Sequence, residues 1–125
     1  MARAQTKSKR KATGGRYVAG RSKRRNELTR LPTHTKLAAN KVKTLRVIGG
    51  NTKQFLLSAN KINVADAKGK VAQVEITNVT ENKANPHLVR RNILTKGAIV
   101  ETKLGKVRVT SRPGQNASLS GILVK

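Results

Sequence analysis

The side chains that most often carry out catalysis are scarce in this sequence and widely separated. It has five acidic residues, two histidines (His34 and His87) and no cysteine. The lack of cysteine excludes disulfide scaffolds, thiolate zinc sites and cysteine nucleophiles. The carboxylates and histidines are too dispersed to suggest an acid–base pair, a metal site or a serine triad. The sequence therefore predicts no catalytic residue, no metal, no cofactor and no small-molecule substrate.

The chemistry that the sequence does offer is cationic. It has 28 Lys and Arg against 5 Asp and Glu, a formal net charge of +23 on 125 residues. Such a chain repels itself unless a polyanion neutralises it. A membrane surface would also need an apolar anchor, and residues 1–30 offer only Tyr17, Val18, Leu28 and a few alanines. A nucleic acid is favoured, because Lys and Arg release counterions from its phosphates.

The aromatic content limits how a nucleic acid could be recognised. The chain has one Tyr and one Phe, whereas base-stacking surfaces need several aromatic rings. We therefore expect recognition of phosphates and shape, and charge alone does not separate RNA from DNA. The apolar runs are too short to span a membrane, and no apolar segment follows the basic N-terminus as in a secretory signal. We expect a soluble protein of a reducing, intracellular compartment.

The charge and the hydrophobic pattern divide the chain into two parts. Residues 1–46 carry 15 Lys and Arg and one acid (15 − 1 = +14), and residues 47–125 carry 13 and four (13 − 4 = +9). The first part lacks hydrophobic periodicity. We predict a basic, extended arm that binds nucleic acid at residues 1–43 and a small β-barrel domain at residues 44–125.

The arm is predicted to be disordered when free and ordered on its partner. Gly14-Gly15 and Gly20 separate its charge clusters and add backbone freedom. The alternative is a tail that only increases solubility. Residues 1–30 contain 11 Lys and Arg, far more than solubility requires.

After residue 43 the sequence is typical of short β-strands separated by Gly, Pro, Asn and Asp. Alternation is clearest where Val74 and Ile76 are interleaved with polar residues. We predict a mainly β fold, a closed or nearly closed barrel of about six strands, because closure removes exposed edges. The strand segments are residues 44–48, 53–59, 62–65, 70–79, 98–102, 106–111 and 119–124.

One segment interrupts the β pattern and predicts a short helix. Asn85 and Pro86 match an N-cap and the first helical position. Two helical turns would follow over residues 87–93 and end at Lys96-Gly97. The adjacent pair Arg90-Arg91 could then contact two phosphates, or simply form a solvated helix face.

A second cationic group is predicted on a strand near the C-terminus. Arg108 and Thr110 share one face of the strand, and Arg112 lies where the chain turns at Pro113-Gly114. An outward strand face with no binding role is an equal alternative for these residues.

Four stretches of the sequence resemble a known family: residues 11–17, 46–51, 85–102 and 105–115. Together they are similar to the "S-eight-e" family of archaeal and eukaryotic small-subunit ribosomal proteins. The resemblance implies a structural, non-enzymatic component of the cytoplasmic ribosome that contacts small-subunit ribosomal RNA and neighbouring ribosomal proteins. It also implies a β-barrel with an extended N-terminal arm. The longer central region of eukaryotic members is absent here, which points to an archaeal-type protein.

The basic positions in or beside the matched motifs, with the arm, form the predicted RNA-binding set. Its members are Arg3, Lys7, Lys9, Arg10, Lys11, Thr13, Gly14, Gly15, Arg16, Tyr17, Arg21, Lys23, Arg24, Arg25, Arg30, Arg46, Arg90, Arg91, Lys96, Arg108 and Arg112. Three alternatives stay open. They are a chromatin-type DNA-binding protein, a ribosome-assembly factor with the same barrel, and an RNA-processing enzyme that would need a cluster among the five acids.

Overall fold

The computed structural model describes residues 8–18 and 20–124, and the chain divides into two compact units after Pro32. Within its described residues, the first unit contains a tight turn between residues 8 and 17 and one 3-10 turn, Arg25–Glu27. The second unit begins at Thr33 and holds the strands. The functional division into an RNA-binding arm and a barrel at residue 43 stays a prediction.

The second unit is built from short strands and two further 3-10 turns, Ile48–Gly50 and Pro86–Leu88. In the part of the chain that the structure describes, the strands are β1 (Thr35–Leu37), β2 (Lys41–Arg46), β3 (Thr52–Ala59), β4 (Lys61–Ala65), β5 (Val71–Glu81), β6 (Ile93–Leu94), β7 (Ile99–Thr102), β8 (Gly105–Val109) and β9 (Ser120–Leu123).

Five of these strands close into a barrel in the order β4-β5-β7-β8-β9. Neighbours are antiparallel except β4 and β9, which pair in parallel with Val64 opposite Gly121 and so complete the ring. The predicted mainly β fold with a closed barrel is confirmed. The barrel has five strands instead of about six, because the segments predicted at residues 44–48 and 53–59 pair with each other in a second sheet, in the order β2-β3-β1-β6.

One hydrophobic core joins the second sheet to the barrel. Inward-facing barrel side chains such as Val64, Val100 and Val107 are fully buried, as the period-two pattern of strands requires. Leu56 from β3 and Leu94 from β6 belong to the same buried cluster. The second sheet therefore covers part of the barrel through these residues.

Strands β1 and β6 were not predicted from the sequence, and the predicted start of β2 is three residues too late. β2 is an edge strand whose residues are mostly exposed, so it shows no apolar alternation. β1 has three residues, and β6 has two, both buried against their neighbours. Such short segments carry no periodicity that a sequence can reveal.

The predicted helix is shorter than expected. Asn85 caps it as predicted, since its Oδ1 accepts from the His87 amide at 3.0 Å. The helical part is one 3-10 turn, Pro86–Leu88, and residues 89–92 continue as further turns. Asn92 has a left-handed φ of 49°, and Ile93 then begins β6. Burial of Ile93 and Leu94 in β6 overrides the local helical signal. The predicted strand segments 98–102 and 106–111 correspond to β7 and β8, which pair as an antiparallel hairpin around Lys103-Leu104.

Candidate nucleic-acid interface

The cations of this protein far exceed the acids that could neutralise them. Even if each of the 5 acidic side chains paired with one cation, 28 − 5 = 23 would lack a carboxylate of their own. Within residues 8–18 and 20–124, three or more His, Cys, Asp or Glu side chains never converge as metal ligands would. The described helices are also too short and too polar to cross a membrane. The chemistry of the described surface is therefore that of dispersed positive charge.

Residues 8–17 form a basic hairpin in the first unit. Arg10 and Arg16 pair as an antiparallel bridge, and the Lys11 amide donates to the Gly15 carbonyl at 2.7 Å. The Gly14 amide donates to the Lys11 carbonyl at 3.0 Å, and Gly14 has a φ of 84°. A residue in the left-handed region at this point is typical of a bulged hairpin turn, and it favours glycine.

Side chains reinforce the basic hairpin without neutralising it. Arg10 Nη1 donates to the Gly14 carbonyl at 3.1 Å, and the Lys11 ammonium lies 5.7 Å from the centre of the Tyr17 ring. Ser8 Oγ donates to the Arg10 carbonyl at 3.0 Å. The four cations, Lys9, Arg10, Lys11 and Arg16, are all exposed. The hairpin thus presents them close together on a defined turn.

Glu27 organises the next cationic segment. It receives two hydrogen bonds from the Arg21 guanidinium, at 2.8 and 2.9 Å, and one from the Arg24 amide at 3.0 Å. The hydrogen bonds from Arg21 lower the pKa of Glu27, and the Arg24 amide and the Lys23 charge act in the same direction. The same pairing raises the pKa of Arg21. A single acid thereby holds this basic turn together.

The rest of the predicted arm set is placed less completely. Thr13 and Gly15 lie in the basic hairpin, and Arg30 is exposed near the end of the first unit. Arg3, Lys7 and the side chain of Arg25 lie outside the described residues. The structure therefore brings Lys9 to Tyr17 into one local element and leaves the assembly of the remaining arm positions as a prediction.

Arg46 lies at the end of the hairpin that joins β2 and β3, opposite Thr52. The connection is a 3-10 turn in which Gly49 and Gly50 both have a φ of 77°, and Ile48 is 75% exposed at its tip. Lys41 and Lys43 are exposed along the same edge strand, where cations discourage pairing with other strands. The hairpin is a second place where backbone and cations are accessible together.

Arg90 and Arg91 lie in the turn between the 3-10 turn and β6, and both are exposed. They are not on a helix, so the helical spacing that would separate them by about a hundred degrees does not apply. They remain adjacent cations on a loop that is anchored by the buried residues Ile93 and Leu94.

Arg112 shares a groove with Lys53, which the sequence analysis did not select. The groove has a volume of about 520 Å³, and its other lining groups include the amides of Gln54, Gln115 and Asn116. Lys53 Nζ donates to Gln115 Oε1 at 3.1 Å. Lys53 stands alone in its stretch of sequence, so only the fold shows that it lies beside Arg112.

Lys96 and Arg108 line a different groove, together with Lys83, which the sequence analysis also missed. The groove has a volume of about 650 Å³ and lies against the outer faces of β7, β8 and β9. Lys83 follows β5 and Lys96 precedes β7, so their sequence positions do not suggest proximity to Arg108. Among the predicted site residues of the second unit, Lys96 and Arg108 therefore share one groove and Arg112 lines another.

The fold and its charge define a small, strongly basic β-barrel protein without a clustered acidic or metal-binding centre among the described residues. The model of the family Ribosomal protein S8e matches residues 4–124, and the chain belongs to this family. The family resemblance stated from the sequence is confirmed.

Three relatives show how closely the whole chain matches, and each is called "Small ribosomal subunit protein eS8". The protein of Methanocorpusculum labreanum is 52% identical over 122 residues, which cover 97% of this chain and 98% of the relative. That of Methanobrevibacter smithii is 52% identical over 125 residues, 99% and 100% of the two chains. That of Methanocella arvoryzae is 50% identical over 121 residues, 96% and 97%. Because the matches cover nearly all of this chain and of each relative, neither has a long region that the other lacks.

Proposed function

We propose that this protein is a structural constituent of the small ribosomal subunit that binds and stabilises folded ribosomal RNA. One observation carries the proposal. The chain belongs to a family whose members include proteins named as small-subunit ribosomal proteins, and it keeps a net charge of +23 after its own acidic residues are counted. RNA is the polyanion that a ribosomal particle offers in bulk. The protein then acts at the ribosome in the cytoplasm, without catalysis, beside other ribosomal proteins.

The basic hairpin supports the way in which the arm would act. Its backbone hydrogen bonds hold Lys9, Arg10, Lys11 and Arg16 on one turn, so little conformational entropy is lost when they meet phosphates. Arginine forks onto phosphate oxygens and lysine acts as a point charge. The arm would cancel repulsion where RNA segments pack closely, while the barrel rests on the folded RNA surface.

The groove of Lys53 and Arg112 fits the same role in the second unit. Two cations bind phosphate, and the amide groups of Gln54 and Gln115 supply donors and acceptors for ribose hydroxyls. Arg46, Arg90 and Arg91 are proposed as further phosphate contacts. Such phosphate contacts would fix the position of the protein on the RNA through the shape of its backbone and would not depend on the base sequence.

Salt dependence of RNA binding tests the proposal. If roughly ten phosphates are neutralised, log affinity for structured small-subunit RNA falls with log salt at a slope of several units. Deletion of residues 1–30 removes 11 of the 28 cations, so the slope should flatten markedly. The control is a chain with Lys61, Lys68 and Lys70 changed to glutamine, in which the slope should change little. An unchanged slope after the deletion would contradict the role of the arm.

The choice of RNA over DNA has its own test. The tagged protein should sediment with small-subunit particles in a sucrose gradient and leave that position after ribonuclease treatment. A chromatin-type protein would instead bind duplex DNA at least as tightly as structured RNA and would not sediment with ribosomal particles.

A further inference from the structure

The groove beside Arg108 combines positive charge with exposed apolar side chains. Strand register places Arg108 between Ile99 on β7 and Ile122 on β9, so the guanidinium-bearing side chain has an aliphatic neighbour on each side. Ile122 is 37% exposed and Val124 is 41% exposed at the same groove. Lys83 and Lys96 lie along its border. The lining of the groove therefore combines three cations with five aliphatic side chains.

The composition of this groove differs from that of the other cationic surfaces. The groove of Lys53 and Arg112 is lined, besides these two cations, by three amides, one hydroxyl and Ala117. In the basic hairpin, Ala12 is the aliphatic side chain, and it offers a single methyl group. Among the described residues that line the Arg108 groove, none carries a carboxylate. A ligand that matches both features of the groove would carry negative charge and apolar groups together.

We propose that the Arg108 groove binds an extended, acidic and apolar segment of a neighbouring protein. The carboxylates of such a segment would meet Lys83, Lys96 and Arg108, and its aliphatic side chains would cover Ile122 and Val124. The inference goes beyond RNA binding and does not depend on it.

The physical chemistry of the groove favours a polypeptide over RNA as the occupant. Phosphates and ribose hydroxyls gain nothing from aliphatic side chains. Bases stack on aromatic rings, which this groove lacks among its described residues, or on arginine, of which it has one, so most of its apolar surface would stay uncovered by RNA. An aliphatic side chain of a peptide removes apolar surface from water at both partners. Arginine fits carboxylates in a bidentate manner, which sets the position of the peptide along the groove.

Binding of short acidic peptides to the full-length protein tests this proposal. One probe is a capped peptide in which glutamate and leucine alternate, and the matched probe has serine in place of leucine. Both carry the same charge, so general attraction to a basic protein cancels in their ratio. Fluorescence anisotropy at near-physiological salt should show the leucine probe binding at least about fivefold more tightly, as expected for burying one or two methylene groups.

Four variants assign the preference to the groove. Ile122→Thr and, independently, Val124→Thr keep a β-branched residue and should each weaken the leucine probe by about fivefold, without changing the serine probe or a structured RNA. Arg108→Gln should weaken both probes by about tenfold, whereas Lys61→Gln, an exposed cation of β4 outside the groove, should change either by less than about twofold.

Three results would overturn the proposal. The first is equal affinity for the two probes. The second is a loss of RNA affinity in Ile122→Thr and Val124→Thr that matches the loss of peptide affinity, which would make RNA the occupant. The third is an Arg108→Gln effect no larger than that of Lys61→Gln. None of these results bears on the salt slope that the arm controls, so the two proposals fail separately.

Discussion

Gly121 is the residue of β9 at which one added methyl group should most damage the barrel. A Cβ atom there would lie 2.5 Å from Val107 Cγ1, 2.9 Å from the Arg108 carbonyl oxygen and 3.0 Å from Ile62 Cδ1. Gly121 is buried, and its φ lies outside the left-handed region. The cost of alanine is therefore steric and does not come from the backbone conformation.

The magnitude follows from what must move. The end of Ile62 can shift, but Val107 is β-branched and buried, so moving its Cγ1 forces an off-rotamer side chain at about 1 kcal/mol. The Arg108 carbonyl belongs to the β8–β9 ladder, and separating these strands weakens one or two hydrogen bonds at about 1 kcal/mol each. Alanine also lowers the conformational entropy of the unfolded chain, which stabilises the folded protein by about 0.5 kcal/mol. We expect a net loss of about 2 kcal/mol, in the range typical of overpacked cores.

Thermal unfolding followed by circular dichroism measures this loss. A change of about 2 kcal/mol corresponds to a decrease in Tm of about 8–16 °C for a domain of this size. Gly114→Ala is the matched control, because its Cβ would lie 3.8 Å from Thr33 Cβ, an ordinary contact. That variant should keep its Tm or raise it slightly, through the same effect on the unfolded chain.

A double-mutant cycle with Val107→Ala separates a steric clash from general destabilisation. Val107→Ala removes the nearest clashing atom, so the two substitutions together should cost at least about 1 kcal/mol less than the sum of their separate effects. A Gly121→Ala protein that unfolds at the temperature of the Gly114→Ala control would show that the added methyl group causes no clash. Strictly additive energies in the cycle would show that Val107 is not the residue it meets.

Three further outcomes are expected. Gly14→Ala should disrupt the basic hairpin, whose turn needs a φ of 84°, and weaken RNA binding in a filter-binding assay, whereas Gly15→Ala, with no positive φ and an ordinary contact at 3.7 Å, should bind as the parent does. The pKa of Glu27 is lowered, so the contribution of Glu27 to the order of the basic turn is fully present above the ordinary glutamate pKa of 4.5 and is lost as the pH falls through the lower pKa of the folded state. An NMR titration that follows the carboxyl carbon of Glu27 should show this lowered pKa. Arg21→Gln should move the pKa back up. Thr35→Val removes a fully buried hydroxyl that donates at 2.7 Å to a β3 carbonyl and should cost about 1–3 kcal/mol in denaturant unfolding, and a loss below about 0.5 kcal/mol would contradict that role.

The strands that could be predicted are those whose pattern is local. β3, β4, β5, β7, β8 and β9 carry apolar alternation or compact apolar runs between turn residues, and their predicted positions match the structure closely. β1 and β6 could not be predicted, because each has only two or three residues and is held by pairing with strands distant in sequence. The predicted length of the helix was wrong for the same reason, because the burial of Ile93 and Leu94 in β6 depends on partners distant in sequence.

The candidate site shows the same division. The density of cations in the arm is visible in the sequence. The basic hairpin was not predicted, because Gly14 and Gly15 were interpreted only as points of backbone freedom, whereas the structure makes them part of its turn. Lys53 and Lys83 gave no signal, because an isolated lysine in or after a strand is indistinguishable from a solvated one. Their relevance comes from neighbours more than twenty residues away along the chain, Arg112 and Arg108.

The amino-acid sequence by itself determined the excess of positive charge, the lack of cysteine chemistry, the β character and the family, since each is a property of composition or of contiguous residues. Only the tertiary structure decided that five strands close the barrel, that Gly121 must lack a side chain, and that Lys83, Lys96 and Arg108 border one aliphatic groove. These features depend on register between strands that are distant in sequence, where a shift of one residue would turn every side chain to the opposite face.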